Sequence, residues 1–334
     1  MSTATLVGAF AACAGEQLQP AGSAFDRRPD GRPAPQPILT PQPTPIPPAA
    51  WQHSLFVDDD AACNTQPLQP CPIRLFKDGT WAPNVTISTT GFVTGLWSDQ
   101  KYLYASKLFL GWNSQLDEYR PNNPTPSFTY SNGWTEVGRI TTQTLSNVHY
   151  VFVSATYTPG GTLNFVQELK RDTNTVLATC YPGNGSENVT GIAVDISGRV
   201  FVAYNDQQFI GHIVEYVGGF AACNAIALPI SFLGFVGQMV MDNVGRLLIC
   251  DSRGATVDVI NPPYNSISGT LGSGMVFPQS VSINLTNTLV FVGDDSPPVE
   301  RILQYPSGTL IHTLGAADGL HDADDAVEWA NDGF

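Results

Sequence analysis

Short apolar runs recur along this chain at intervals of about 45 residues, and that period constrains the fold more than any other feature of the sequence. The clearest unit is TGIAVDISGRVFVAYNDQQFIGHIVEYV (190–217), in which three runs, at Ile192–Val194, Val200–Ala203 and Ile213–Tyr216, are separated by turn-forming residues. Each run is short and rich in β-branched or aromatic residues, which favours strands over helices. Asp195-Ile196-Ser197-Gly198 suits a tight hairpin, because Gly tolerates the positive φ such turns need. With Tyr216 as the ruler, equivalent third-strand positions fall at Phe76, Tyr119, Leu169, Ile260 and Tyr305, at successive spacings of 43, 50, 47, 44 and 45 residues. Second strands precede them at 55–57, 102–106, 150–155, 200–204, 247–250 and 289–293, and first strands at 94–98, 138–142, 191–195, 238–242 and 279–283.

A period of this length with about four strands per repeat predicts an all-β fold, a six-bladed β-propeller with four-stranded blades, over residues 51–334. The second strands are continuously apolar, as expected of sheets buried on both faces. The first repeat has second, third and fourth strands (the fourth at Val85-Thr86-Ile87) but no first strand, whereas Ala326-Val327-Glu328-Trp329-Ala330 follows the last repeat at the right distance. That C-terminal strand is expected to enter the first blade innermost and close the ring, removing an exposed edge. The alternative for DGLHDADDAVEWANDGF is an acidic, disordered tail. Gly (31) and Pro (26) are abundant and charged residues make up 13%, a balance for strands and turns rather than long helices.

Residues 1–13 read as a truncated export signal: the apolar run Leu6–Ala12 is followed by Cys13, the residue lipidated in a bacterial lipobox. No Lys or Arg precedes the run, and a plain secretory signal or a cytosolic start are the alternatives. Residues 14–50 contain ten prolines and read as an extended linker that would hold a domain off a membrane. The expected location is therefore extracytoplasmic in a bacterium, secreted or attached to the cell envelope through a lipid anchor alone. Cys63 and Cys71 enclose a short Pro-rich loop and are expected to form a disulfide. Cys180 and Cys223 fall at matching places in successive repeats and could meet on the outer rim, and Cys250, within LLIC, reads as a buried thiol. A net charge of −14 argues against a nucleic-acid partner. The chain is expected to be a monomer with a protein or glycan ligand.

The pattern G-I-A-V-D-I-S-G-R-V-F-V at 191–202, with its variant at 237–249, resembles NHL-repeat proteins and the wider six-bladed TolB-like propellers. The possible lipobox and Pro-rich linker are similar to those of uncharacterised bacterial propeller lipoproteins. The resemblance implies ligand recognition at one end of the central channel, on the face shared by loops that enter first strands and leave second strands. There the second strands end in Asp58, Lys107, Asn205, Asp251 with Arg253, and Asp294, the candidate ligand-binding residues; converging oxygens among them would suit Ca²⁺ or another divalent cation. The expected function is a binding or scaffolding module.

A second resemblance, to the senescence-marker/gluconolactonase branch of these propellers, implies a metal-dependent lactonase or esterase, with Asn188, Asn205, Asp251 and Asp294 as the candidate metal ligands. The early E-G-P motif of that branch is absent, and Val236-Gly237-Gln238 stands where it has an Asp-Gly pair. No G-x-S-x-G elbow, H-E-x-x-H or P-loop motif occurs. Whether the chain is an enzyme stays open on the sequence.

Overall fold

The computed structural model describes residues 54–59, 71–76, 85–99, 101–109, 113–121, 123–158, 162–230, 232, 234–321 and 323–329. Cys13, the Pro-rich linker and Cys63 lie outside the described residues; Cys71 is disulfide-bonded. Blade 1 contains β1 (Ser54–Asp58), β2 (Pro72–Phe76) and β3 (Val85–Ser88); blade 2, β4 (Phe92–Ser98), β5 (Leu103–Phe109), β6 (Asn113–Tyr119) and β7 (Phe128–Tyr130). Blade 3 has β8 (Glu136–Leu145), β9 (Val148–Tyr157), β10 (Leu163–Lys170) and β11 (Val176–Cys180); blade 4, β12 (Asn188–Val194), β13 (Val200–Asn205), β14 (Gly211–Tyr216) and β15 (Ala225–Ala227). Blade 5 has β16 (Val236–Met241), β17 (Leu247–Asp251), β18 (Thr256–Ile260) and β19 (Ile267–Leu271); blade 6, β20 (Pro278–Ile283), β21 (Leu289–Asp295), β22 (Pro298–Gln304) and β23 (Thr309–Leu314).

The last strand, β24 (Ala326–Trp329), pairs with β1 and gives blade 1 the order β24-β1-β2-β3. The innermost strands β24, β4, β8, β12, β16 and β20 touch one another in a closed circuit. The fold is thus a six-bladed β-propeller closed by its C-terminal strand, as the repeat predicts. Trp329 at the end of β24 is fully buried beside Phe56, with ring centroids 5.5 Å apart, so the closing strand is packed into the core rather than loosely appended. Among the described residues no helix is long and apolar enough to cross a membrane.

The D-x-x-G-R motif has a structural cause. Asp195 Oδ1 accepts the backbone N–H groups of Ser197 and Arg199, both at 2.9 Å, and Arg199 Nε reaches Asp195 Oδ2 at 2.7 Å. Asp242 repeats the arrangement with Val244 and Arg246 in the next blade. The arginines lie over Tyr264 and Tyr305 of the following blades, and Tyr305 Oη donates to Asp242 at 2.7 Å. In blade 6, Asn284 takes the same role by accepting from Thr288 and Leu289.

A second regularity was not legible in the sequence. The ladder between first and second strands shifts register near the start of every first strand of blades 2 to 6: at Val93/Gly95, Val137/Ile140, Val189/Gly191, Val236/Met239 and Pro278/Ser280. Such bulges re-aim side chains. The residues the ladder skips include Thr94, Arg139, Gln238 and Gln279, and these surround one end of the channel. Glycine is needed in the same stretch: a Cβ on Gly237 would run into the Gln279 carbonyl of the neighbouring inner strand.

Candidate functional site

At that end of the channel lies a cavity of about 210 Å³, lined among others by Asp58, Glu136, Arg139, Asp295, Asp324 and Asp325. Its residues come from the end of β1, the starts of β4, β8 and β20, the end of β21 and the segment entering β24. This is the face shared by loops that enter first strands and leave second strands.

Asp58 is 1% exposed, and its Oδ1 accepts the backbone N–H groups of Asp325 at 2.7 Å and Asp324 at 3.2 Å, fixing the entry to the closing strand. Asp325 Oδ2 accepts Leu96 N–H from blade 2 at 2.9 Å. Arg139 Nη1 from blade 3 lies 3.5 Å from the same oxygen and 3.4 Å from Gln238 Oε1 of blade 5. Four inner strands are therefore linked across the channel through one guanidinium and one carboxylate. The remaining oxygens, Asp58 Oδ2 and Asp325 Oδ1, have no hydrogen-bond partner among the described residues, and neither has either carboxylate oxygen of fully buried Glu300 on β22.

Burial raises the pKa of these groups. Asp58 is held well above the usual carboxylate range by desolvation and then by Asp324 and Asp325. Glu300 is raised by desolvation, then by Asp325, Asp58 and Asp324, and Asp325 is pushed up to about 6 by desolvation, partly offset by Arg139. The native state holds protons that the unfolded chain has released above pH 4, so stability declines as pH rises through the folded pKa values. Glu300→Gln, which cannot ionise, is expected to be more stable than the parent at pH 8 and equal to it at pH 4. Urea unfolding at the two pH values checks this, and an equal difference at both would refute it.

The structure places the other candidate residues as follows. Lys107 is 4% exposed, ion-paired with Asp117, and 3.2 Å from Thr90 Oγ1. Asn205 is 1% exposed and pins blade 4 to blade 5: its Oδ1 accepts Val236 N–H at 2.9 Å and its Nδ2 donates to Val236 O at 2.8 Å. Asn188 is exposed and faces Asn205 across the β12–β13 ladder. Asp251 Oδ1 accepts from Arg253 N–H and Gly254 N–H, and Arg253 is exposed in that turn. Asp294 is fully buried; it accepts Phe277 N–H at 2.7 Å and pairs with Arg301 Nε at 2.9 Å. Asn205 Oδ1, Asp251 Oδ1 and both carboxylate oxygens of Asp294 are thus engaged by protein donors. Among the described residues no three side chains of His, Cys, Asp or Glu are placed to hold a metal ion. Asp58 is the sequence candidate that reaches the cavity; Arg139 and Glu300 have no role in the sequence pattern, and Asp325 belongs there to the acidic turn 321–325, which could chelate a cation but reads more simply as solvated. Their signal was a charged residue at the start of, or within, an otherwise apolar strand.

Aromatic side chains are displayed on the same face. Phe209 is 70% exposed at φ 60°, in the loop leaving β13, where Asp206 Oδ1 accepts both Gln208 N–H and Ile210 N–H at 2.9 Å. A bulky residue in the left-handed region is strained by roughly 1–3 kcal/mol. The loop continues to Gly211, whose N–H donates to Gly234 O at 3.0 Å. The adjacent Phe235 stacks on Phe277 with ring centroids 6.0 Å apart, and Phe277 O accepts from Asp295 N–H at the cavity edge.

No protein-family model and no curated protein matches this sequence. Solved structures do. A protein of unknown function from Bacteroides caccae is 11% identical with a TM-score of 0.59, over 83% of this chain and 99% of that one. A chain of a nidogen/laminin complex is 13% identical with a TM-score of 0.61, over 84% and 99%. A functionally unknown protein from Desulfotomaculum acetoxidans is 12% identical with a TM-score of 0.56, over 84% and 100%. The likeness is one of fold alone.

Proposed function

We propose that this propeller is a binding module of the NHL/TolB-like kind, held outside the cytoplasm by its N-terminal segment, and that it recognises a protein partner through the channel face. The observation that carries the reading is Phe209, displayed to solvent in a strained backbone on the face that holds the carboxylate-lined cavity. Strained, exposed aromatic residues are costly unless something uses them, and aromatic anchors next to polar pockets are what interfaces employ. The occurrence of a similar propeller-shaped chain in a complex of nidogen with laminin is consistent with protein recognition. The Cys180–Cys223 disulfide supports export to an oxidising compartment.

Phe209→Gly separates binding from folding. Glycine relieves the left-handed strain, so the variant is expected to melt at or slightly above the parent temperature while losing at least tenfold in affinity for the partner. Capture from the cell envelope with the parent, Phe209→Gly and the rim variant Ile226→Asp tests the face. Loss with the rim variant alone would sink the reading, and a captured glycan in place of a protein would change the partner class. The anchor is tested separately: a fatty-acid label should enter the full chain and be absent from Cys13→Ser.

A further inference from the structure

We propose that the channel mouth is a site for a primary ammonium or guanidinium group, with Asp58 and Asp325 as its paired acceptors. The inference rests on the channel face being the binding face and names the chemistry recognised there.

Five carboxylates line the cavity, from Asp58, Glu136, Asp295, Asp324 and Asp325, against the single guanidinium of Arg139. Arg139 does not saturate them: its contacts with Asp325 and Gln238 are long, at 3.5 and 3.4 Å. Asp58 and Asp325 are each 1% exposed, and each keeps an oxygen without a donor. A buried acceptor without a donor is costly, and a buried carboxylate more so. A ligand that restores the balance must bring N–H donors and positive charge together. An ammonium group brings three donors and a guanidinium five in a fork suited to carboxylates, whereas a sugar hydroxyl supplies donors without charge and an anion is repelled.

Size limits the occupant further. The 210 Å³ of the cavity is below the roughly 300–1,000 Å³ of sites for drug-sized ligands. It accommodates one head group, leaving the rest of the ligand outside, where Phe277 borders Asp295 and stacks on Phe235. The same head group is carried by a free amine and by a lysine or arginine side chain of a protein.

Without a cation, burial favours the protonated carboxyls; a bound cation favours the ionised ones, so binding releases protons. The groups that set this balance are Asp58, Asp324, Asp325, Glu300 and Arg139, with Glu136 and Asp295 on the lining. Affinity for a cation should therefore rise with pH, by up to about tenfold per pH unit for each proton released.

The test is calorimetric titration of the full chain with Nα-acetyl-lysine methylamide, Nα-acetyl-arginine methylamide and, as the neutral control, Nα-acetyl-norleucine methylamide, at pH 5 and 7.5. The cationic probes should bind, more tightly at pH 7.5, and norleucine should not. Asp325→Asn and Asp58→Asn retain a carbonyl acceptor for their backbone donors; each should weaken binding at least tenfold while melting no lower than the parent. An octapeptide with lysine between aromatic residues that binds tenfold tighter than the free amide would support the site and assign its source to a protein; equal affinity would support it and assign a small amine. Binding of Ca²⁺ but of neither organic cation would overturn the proposal. So would equal binding of norleucine, insensitivity to both substitutions, or no binding by folded protein. If these probes fail while Phe209→Gly still abolishes partner capture, the channel-face reading survives and the cation site does not.

Discussion

Replacing Arg171 by alanine is expected to destabilise the propeller by about 3–5 kcal/mol, the usual cost of stripping one partner from a buried ion pair. Arg171 follows β10 in blade 3 and is 7% exposed, and its Nε lies 3.4 Å from Glu118 Oε2 in blade 2, where Glu118 is fully buried. Its guanidinium sits 3.4 Å from the Tyr102 ring centroid, and Nη1 lies 3.7 Å from Asp99. Glu118 also accepts from Tyr130 Oη at 3.1 Å, and Tyr130 Oη accepts Asp172 N–H. Burial already raises the Glu118 pKa, and Arg171 is the main influence lowering it. Without the arginine, the carboxyl is buried with a tyrosine hydroxyl as its remaining donor, and its folded pKa climbs further above the unfolded value. The loss should accordingly be small near pH 4 and grow as pH rises. Adding Glu118→Gln to Arg171→Ala should recover a substantial part of the stability at pH 7.5. Urea unfolding of the single and double variants decides the matter, and a double variant as unstable as the single at pH 7.5 would contradict the charge argument.

The second large effect is expected at the Cys180–Cys223 disulfide. It joins the outermost strand of blade 3, β11, to the turn between β14 and β15 of blade 4, across a sequence separation of 43 residues. Closing a loop of that length restricts the unfolded chain by roughly 4 kcal/mol. The bridge adjoins an aromatic cluster in which Phe220 meets Phe152 at 5.5 Å and Tyr216 at 4.9 Å, so both blades are packed where it crosses. Cys180→Ala with Cys223→Ala should lower the unfolding free energy by about that amount, and in dithiothreitol, which also opens the Cys71 bridge in both proteins, parent and variant should unfold alike. A parent unaffected by reductant would refute the assignment. The repeat alignment put both cysteines just after a third strand. Cys223 does follow a third strand, in the connection from β14 to β15, whereas Cys180 ends a fourth strand, β11. They meet because β11 faces the next blade's connection at the rim, a relation between blades that no single repeat contains.

Much of the fold was legible because it is local. Strand identity followed from four- to five-residue apolar runs, blade number from their period, and ring closure from a missing first strand matched by a surplus last one. The starts of the first strands were less legible: β4 begins at Phe92 and β12 at Asn188, ahead of the apolar runs that marked them. The residues before those runs pair through bulges, which leave no hydrophobic alternation to read.

The sequence by itself determined six blades, their strand order and the face on which the second strands end, since the hydrophobic period and the turn residues act over a few neighbours. Only the tertiary structure decided what occupies the channel mouth. Asp58 and Asp325 are 267 residues apart, and Arg139 lies 186 from Asp325, yet the three converge because closing the ring brings the two ends of the propeller side by side. Asn205 and Asp294, equally polar at equivalent strand ends, spend their oxygens on neighbouring backbone and, for Asp294, on Arg301 as well, while Asp58 and Asp325 keep one each without a donor among the described residues. That difference lies in how the loops pack above each strand and in how far the bulges turn each first residue, neither of which is encoded within one repeat.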